Sequence, residues 1–258
     1  MLYEQAIATL FRHGRMTKDD AILVICGGPL DRDILRQAGF TNVTISNLDA
    51  SCKDSVMPFE WSYQDAENIT YADNKFDIAI VHMGLHHCFS PHRALLEMLR
   101  VSRRGILCFE NRDSLLLNIA KSLGFTVDYE LEAVSNGNYS SGGAGNGPIP
   151  NFVYRWTERE ILKTVKSAYP ANPAKVQFFY GLRLPYERLR RTSKPLMRYL
   201  LITLGPLLEG VVKVVKTQGN EFGFFIEKSD ELLPWLERGE DQIRLSEAYA
   251  VAHRRVCQ

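Results

Sequence analysis

Apolar runs and amphipathic segments alternate along the first half of the chain. The short apolar runs are typical of buried strands and lie at 21–26, 42–49, 67–72, 76–81 and 105–111. Apolar residues at helical spacing fall between them, at 30–40, 91–102 and 114–125. Strands that alternate with helices form a parallel sheet with helices on both faces. Ligands of such sheets bind at the carboxyl ends of the strands, where the strand order reverses.

The alternation then stops. Residues 134–151 are rich in Gly, Ser and Asn, which is typical either of a disordered loop or of a lid over an active site. Thr157 and Glu160 are spaced as a capping box, so a helix is predicted to start there. Two late strands are predicted at 174–185 and 220–228.

The segment between the late strands, 186–216, is basic at its start and amphipathic after it. Gly205 and Pro206 interrupt its apolar run, which is too short for a membrane-spanning helix. We expect a helical cap over the active site, and a helix on a membrane surface that serves a lipid-like acceptor is the second interpretation. Arg190 and Arg191 would contact an acidic or phosphate-bearing acceptor.

These patterns predict four regions. They are an N-terminal helix over 1–20, a core over 21–185 and 217–230, the helical cap over 186–216 and a helical tail over 231–258.

Composition narrows the class of protein. The chain has 258 residues, of which 45% are hydrophobic and 24% charged, as in an ordinary globular protein. A net charge of +1 gives no reason to expect nucleic acid. Five scattered cysteines form no C-x-x-C pair, which argues against a disulfide framework and suits a reducing compartment. The N-terminus lacks the apolar core of a signal peptide, so we expect a cytoplasmic protein, peripheral to a membrane if 186–216 binds one. Nothing in the sequence indicates the oligomeric state.

Gly27 and Gly28 follow the first predicted strand, where a turn can bring the backbone close to a ligand. The turn has neither the G-x-G-x-x-G fingerprint nor the Gly-Lys-Ser/Thr of a P-loop, so a nucleoside ligand without a pyrophosphate fits best. A plain strand-to-helix turn is the alternative. Asn47 and Asp49 end the second strand, where a polar side chain can bind ribose hydroxyls.

The stretch from Gln64 to Asn111 resembles the class I S-adenosylmethionine-dependent methyltransferases, especially the group that includes the quinone-biosynthesis enzymes. The positions that match the family pattern in order are Asp65-Ala66, Asp73, Phe76-Asp77, Leu85-His86-His87, Glu97, Arg100-Val101 and Gly105. The resemblance covers about residues 20–126, together with the last predicted strand. It implies a Rossmann-like α/β fold: a doubly wound, seven-stranded, mostly parallel sheet with helices on both faces. The cap is then an insertion between the last two strands.

The resemblance also implies a cofactor, S-adenosylmethionine, with S-adenosylhomocysteine as product. The residues that it implies as cofactor contacts are Cys26, Gly27, Gly28, Asn47, Asp49, Asp65, Ala66, His82 and Met83. The glycines would lie under the methionine and ribose, Asp65 would accept from the adenine amino group, and His82 and Met83 would line the methyl-donor pocket.

The first motif departs from the family pattern of acidic-x-G-x-G-x-G. Val24 takes the acidic position, and of the glycines only Gly27 and Gly28 remain. Asn47 stands where the family has its ribose-binding acid. Asp49 is two residues further on, so it points the same way along a strand and can substitute.

Methyl transfer from a sulfonium depends mainly on alignment and on exclusion of water. A hydroxyl acceptor would need a base, for which His86 and His87 are the candidates. Glu110 and Asn111, after the fifth strand, are candidate substrate contacts, as are the two arginines of the cap. Four of the six histidines lie within 82–92, but without an H-E-x-x-H pattern, so we expect no metal.

The predicted function is methyl transfer to a small-molecule acceptor that is lipid-like or acidic. A nicotinamide-dependent oxidoreductase would share the sheet but would need the missing glycine fingerprint. A noncatalytic protein that keeps the fold as a scaffold is a further alternative, because the glycine motif after the first strand lacks its acidic residue and part of its glycines.

Overall fold

The computed structural model describes residues 1–184 and 195–253. The helices of this part are α1 Leu2–Arg12, α2 Pro29–Ala38, α3 Pro91–Val101, α4 Leu115–Ser122, α5 Leu131–Asn136, α6 Glu158–Ala168, α7 Pro195–Val214 and α8 Glu247–Ala252. The strands are β1 Ile22–Ile25, β2 Val43–Asn47, β3 Glu60–Tyr63, β4 Phe76–His82, β5 Ser102–Asn111, β6 Lys175–Gly181, β7 Glu221–Glu227, β8 Leu236–Arg238 and β9 Ile243–Leu245.

Seven strands form one sheet in the order β3-β2-β1-β4-β5-β7-β6. All neighbours are parallel except β7, which runs antiparallel to both β5 and β6. The order reverses between β1 and β4, so the loops at their carboxyl ends diverge and leave a crevice. The predicted fold class, a doubly wound and mostly parallel seven-stranded sheet, is confirmed.

Both faces of the sheet are buried, which explains the continuous apolar runs of the central strands. Leu23 and Ile25 point into a cluster with α3 and α6, whereas Ile22 and Val24 point into a second cluster with α1 and α2. Helix α1 occupies part of the predicted segment 1–20 and packs Tyr3, Ala6, Ile7 and Leu10 against the sheet.

The prediction of a strand at 67–72 was wrong, because the third strand is β3. Residues 67–72 form an irregular segment in which Asn68 makes an isolated bridge with Asp65. Arg100 donates to the carbonyl oxygens of Ile69 and Tyr71 at 2.7 and 2.9 Å, so a side chain takes the place of a neighbouring strand. β3 lies at the edge of the sheet and buries none of its residues fully, which removes the apolar pattern of a central strand.

The prediction of a helical tail over 231–258 was also wrong. β8 and β9 pair as an antiparallel hairpin, and only α8 is helical in the described part of the tail. The Gly239 amide donates to the Gln242 carbonyl oxygen at 2.9 Å and closes the turn between the strands. A polar turn centred on glycine interrupts the helical spacing there.

Helix α7 occupies most of the predicted cap segment, whereas Arg190 and Arg191 lie outside the described residues. Its C-terminal half lies against α1 and β6 and buries Val212. Several of its apolar side chains are exposed, among them Tyr199, Ile202, Leu207 and Val214. Within residues 1–184 and 195–253, no helix has both the length and the apolar character needed to cross a bilayer.

Candidate functional site

A cavity of about 230 Å³ opens in the crevice at the carboxyl ends of β1, β2 and β4. We call it the first cavity. Its lining residues are Cys26, Asn47, Leu48, Asp49, Asp65, Ala66, Glu67, Met83, Gly84, His87, Cys88, Gly142, Gly143, Gly145 and Asn146. Most of the predicted cofactor contacts are therefore brought together. Of the described residues, Gly27, Gly28 and His82 are the predicted contacts that do not line it.

The two glycines of the turn differ in what surrounds them. A Cβ on Gly27 would lie 2.6 Å from Cγ1 of Val24 and 2.8 Å from Cγ2 of Ile45, so packing within the protein requires this glycine. A Cβ on Gly28 would meet no protein atom within 4 Å. Gly28 is therefore the glycine whose open side a ligand can approach.

Cys26 stands where the family pattern has its first glycine and adopts a left-handed backbone conformation with φ of 53°. Side chains other than glycine adopt this conformation at a cost of about 1–2 kcal/mol. A Cβ on Gly84, after β4, would lie 2.5 Å from the Cβ of Cys26. Gly84 thus provides the space that the Cys26 side chain fills beside the cavity.

Asn47 and Asp49 have different roles at the end of β2. Nδ2 of the Asn47 side chain donates to the Gly27 carbonyl oxygen at 2.9 Å, and its Oδ1 accepts from the backbone amide of Asp49 at 3.0 Å. Both polar ends of Asn47 are thus used by the backbone. The half-buried Asp49 accepts from the Ser51 amide at 2.9 Å, and hydrogen bonds from Ser51 lower the pKa of its carboxyl. Asp49 is therefore ionised and keeps free lone pairs toward the cavity.

The acidic wall of the cavity continues in Asp65 and Glu67. Asp65 is exposed, and its Oδ1 accepts from the Glu67 amide at 2.9 Å. The Glu67 carboxylate accepts from the amides of Phe89 and Ser90 at 2.8 and 2.9 Å, just before α3. Sequence analysis missed Glu67, whose only sequence signal is its position two residues after Asp65.

The Gly/Ser/Asn segment covers the first cavity through Gly142, Gly143, Gly145 and Asn146. Its backbone is hydrogen-bonded to itself, from the Gly143 amide to the Gly147 carbonyl oxygen and from the Ala144 amide to the Ile149 carbonyl oxygen, both at 2.8 Å. This ordered arrangement favours the lid interpretation over the disordered loop.

A second cavity, of about 580 Å³, lies on the other side of Met83, which lines both. Its lining residues are Met1, Leu2, Tyr3, His82, Met83, Phe109, Glu110, Asn111, Arg183, Leu184, Asn220, Glu221 and Phe222. His82 thus belongs to this cavity, where its ring stacks on Tyr3 with centroids 5.3 Å apart. Glu110 and Asn111, the predicted substrate contacts, line it as well. Tyr3 was missed, because the packing position of α1 cannot be read from its sequence.

The two candidate catalytic histidines differ in burial and in hydrogen-bond partners. His86 is buried, with Nδ1 2.6 Å from Oε2 of Glu110, and Oε1 of Glu110 accepts from the Leu85 amide at 2.7 Å. Glu130, which precedes α5, has Oε2 3.5 Å from Nε2 of His86 and 3.3 Å from Nε2 of His87. His86 is enclosed between two carboxylates, whereas His87 reaches the first cavity.

The electrostatics of this cluster follow from burial and from the carboxylates. Burial alone would lower the pKa of His86, but the charge and hydrogen bond of Glu110, together with Glu130, raise it to about 10. Hydrogen bonds from His86 and His87 hold the pKa of Glu130 well below its usual range. Sequence analysis missed Glu130, which is far from the histidines along the chain.

Several residues that match the family pattern stabilise the fold rather than the site. Arg100 donates to Glu97 at 2.8 Å and to Asp73 at 2.7 Å, which fixes the loop before β4. The Asp77 carboxylate accepts from the Ala21 amide at 2.9 Å and joins the start of β1 to β4.

Comparison with known proteins agrees with this geometry. Residues 26–109 match the family model of the methyltransferase domain. A stretch of 41 residues is 46% identical to the demethylmenaquinone methyltransferase of Paenarthrobacter aurescens (strain TC1), and it spans 16% of this chain and 16% of that relative.

Two solved structures share the fold. Magnesium protoporphyrin IX methyltransferase (ChlM) from Synechocystis PCC 6803, with bound S-adenosylhomocysteine, has a TM-score of 0.52 at 13% identity, over 88% of this chain and 84% of that one. The YcgJ protein of Bacillus subtilis has a TM-score of 0.53 at 10% identity, over 87% and 99%. At such identities the likeness shows the fold. The family match confirms the resemblance to the S-adenosylmethionine-dependent methyltransferases over residues 26–109.

Proposed function

We propose that the protein transfers a methyl group from S-adenosylmethionine in the first cavity to a small-molecule acceptor in the second. The observation that carries the proposal is that the two cavities adjoin at Met83. Predicted cofactor contacts line one cavity and predicted substrate contacts line the other. Group transfer requires its two reactants side by side in a fixed orientation.

The charge of the first cavity fits a sulfonium cofactor. Its described lining contains the acidic residues Asp49, Asp65 and Glu67 and neither lysine nor arginine. Such a wall attracts a cation and repels a pyrophosphate. This supports S-adenosylmethionine, with Asp49 toward the ribose and Asp65 toward the adenine, and it argues against the nicotinamide-dependent oxidoreductase.

The size of the first cavity indicates that the lid must move. Sites for drug-sized ligands commonly measure about 300–1,000 Å³, and the cavity measures about 230 Å³ with residues 142–146 over it. A lid that opens to admit the cofactor and closes over it would also exclude water from the reaction.

When bound, the cofactor supplies an electrophilic methyl group, so the chain has to position the acceptor. His86 has both ring nitrogens directed at carboxylates. His87 lines the first cavity together with Met83, where the two cavities adjoin, and is therefore our candidate to contact the reacting end of the acceptor or to accept its proton.

The second cavity suits a flat and partly apolar acceptor. Tyr3, Phe109 and Phe222 give it aromatic walls, and Arg183 could pair with an acidic group of the acceptor. The name of the relative from Paenarthrobacter aurescens gives demethylmenaquinone as its acceptor, which supports a quinone-like class here. Exposed apolar side chains on α4 and α7, such as Ile119 and Leu207, support contact with a membrane surface.

Calorimetry with S-adenosylhomocysteine tests the function. Saturable binding to the full-length protein, weakened in Asp49→Asn, is the expected result. Binding of NADH alone would support the oxidoreductase. A protein that binds neither compound would be a noncatalytic scaffold, and the proposal would be wrong.

Sedimentation with anionic phospholipid vesicles tests the membrane contact separately. We expect the double variant Arg190→Glu and Arg191→Glu to bind vesicles more weakly and to keep its affinity for S-adenosylhomocysteine. Lys163→Glu with Lys166→Glu on α6 changes the net charge by the same amount and is the control. Equal binding by both double variants would refute a role for 186–216 at the membrane.

A further inference from the structure

Three side chains that commonly bind metals converge at the wall of the first cavity. His86 and His87 lie in the short 3₁₀ turn Leu85–His87 after β4, and Glu130 comes from the loop before α5. One ligand atom from each lies within 4.8 Å of the other two, a grouping found in the described residues 1–184 and 195–253. The cluster therefore joins the sheet to the segment that carries the lid.

The distances match those between ligands of one ion. Oε2 of Glu130 is 3.5 Å from Nε2 of His86 and 3.3 Å from Nε2 of His87. Two atoms that each bind a tetrahedral zinc ion at about 2.1 Å lie about 3.4 Å apart. Two of the three ligand pairs thus already have the spacing of a coordination sphere, and the third pair lies within 4.8 Å.

Neighbouring residues orient these ligands as they do in metal sites. Nδ1 of His86 is 2.6 Å from Glu110, which leaves Nε2 directed at Glu130. Histidines that bind metals usually donate their other ring N–H to a carboxylate. Asn151 holds the third ligand, because its Nδ2 donates to Oε2 of Glu130 at 3.3 Å and its carbonyl oxygen accepts from the Glu130 amide at 3.1 Å.

The side chain of Asn151 gives an independent indication. The residue is 2% exposed, and its Oδ1 has no hydrogen-bond partner within the described part of the chain. A buried polar atom without a partner costs about 1–3 kcal/mol. A water molecule bound to an ion at this cluster is a donor that would satisfy it.

We propose that His86, His87 and Glu130 bind a divalent first-row transition-metal ion, Zn²⁺ or a cation of similar ligand preference. Two imidazoles and one carboxylate form the ligand set of zinc sites that keep a position open for water or substrate. Glu110 and Asn151 are positioning residues.

The open position faces the first cavity and takes an oxygen atom at the end of the acceptor that reaches the junction of the two cavities at Met83, a point that rests on the proposed function. His87 is then a metal ligand rather than a proton acceptor. The expectation of no metal was based on the spacing of the histidines alone, without Glu130.

The test uses the untagged full-length protein after treatment with EDTA and dialysis. We expect one equivalent of Co²⁺ to bind and to give the visible absorption of a four- or five-coordinate site, and Zn²⁺ to displace it. Azide, a small anionic ligand, should shift this absorption if a coordination position is open. An unchanged spectrum would overturn the open position.

Variants separate this cluster from other histidine sites. Asn151→Ala should weaken Zn²⁺ binding by about 10- to 100-fold, and Glu130→Gln or His87→Ala should weaken it further. His92→Ala is the matched control, because His92 also pairs with a carboxylate, Glu160 at 3.0 Å, but outside the cluster. Circular dichroism and thermal unfolding establish that each variant is folded.

Lack of saturable Co²⁺ and Zn²⁺ binding up to millimolar concentrations would overturn the metal site, as would equal affinities in Glu130→Gln and His92→Ala. S-adenosylhomocysteine affinity is measured on the same samples. A protein that binds S-adenosylhomocysteine and no metal overturns the metal site alone. One that binds metal and no S-adenosylhomocysteine overturns the proposed function alone.

Discussion

Asp49, rather than Asn47, should bind the ribose. Asp49→Asn keeps the size of the side chain and the oxygen that accepts from the Ser51 amide, so the fold should be retained. A hydrogen bond to a charged group contributes about 1.5–3 kcal/mol and one to a neutral group about 0.5–1.5 kcal/mol. The difference is about 1–1.5 kcal/mol for each hydrogen bond, so with one or two ribose hydroxyls the loss of the charge should cost about 1–3 kcal/mol of binding, or about 5- to 150-fold in the Kd of S-adenosylhomocysteine.

Asn47→Ala should act on stability instead. It removes the hydrogen bonds to the Gly27 carbonyl oxygen and from the Asp49 amide. Two neutral hydrogen bonds correspond to about 1–3 kcal/mol in the free energy of unfolding. The effect on S-adenosylhomocysteine affinity should be smaller than that of Asp49→Asn, because both polar ends of Asn47 already bind backbone groups and Asn47 carries no charge.

Calorimetry gives the affinities, and urea denaturation gives the stabilities at the same pH. A larger loss of affinity in folded Asn47→Ala than in Asp49→Asn would refute the assignment of the ribose to Asp49. The assignment also fails if Asp49→Asn binds S-adenosylhomocysteine as tightly as the parent protein does.

Three further measurements test the same region. Gly28→Ala should weaken S-adenosylhomocysteine binding without a change in urea midpoint, since its Cβ meets no protein atom. Gly27→Ala should instead lose about 1–3 kcal/mol of stability by overpacking. Equal effects of the two variants on affinity and stability would contradict this difference between the glycines. Asp65→Ala should weaken the binding of S-adenosylhomocysteine, measured by calorimetry, by about 0.5–1.5 kcal/mol. Unchanged affinity would show that Asp65 does not contact the cofactor. Burial raises the pKa of Asp31 to about 6. The folded protein favours the protonated form of Asp31, so this residue stabilises the fold fully below about pH 4. The stabilisation is lost as the pH rises through 6, and the free energy of unfolding falls by about 3 kcal/mol. Denaturation at several pH values should show a flatter profile for Asp31→Asn, and an unchanged slope would refute the shift.

The parts of the fold that could be predicted are those whose burial shows in the local sequence. β1 and β4 are buried on both faces, so their apolar runs are continuous. β3 lies at the edge of the sheet with an exposed and half-buried surface, so its sequence has no such run. The alternation at 67–72 reflects side chains such as Ile69 that are buried without forming a strand.

The same distinction applies to the site. Asp49 could be predicted because it follows a strand whose carboxyl end lies at the crevice, and Asp65 because it matches the family pattern, although the strand before it, β3, was not predicted. Glu130 and Tyr3 arrive from a loop and from the N-terminal helix, and their neighbours are set by tertiary packing that no local pattern encodes. His82, predicted as a cofactor contact, lines the second cavity, whereas its neighbour Met83 lines both, a difference that tertiary packing also sets.

The position of β7 has a consequence for the order in which the two cavities form. The first cavity is complete once residues 26–146 are in place. The second cavity needs residues that are far apart in sequence, because Met1–Tyr3 and Asn220–Phe222 both line it. β6 also lacks a hydrogen-bonded neighbour until β7 enters between it and β5. Contacts this distant in sequence close late in folding. We therefore expect the first cavity to form before the second, and a molecule held in the second cavity would tie the N-terminal helix to β7.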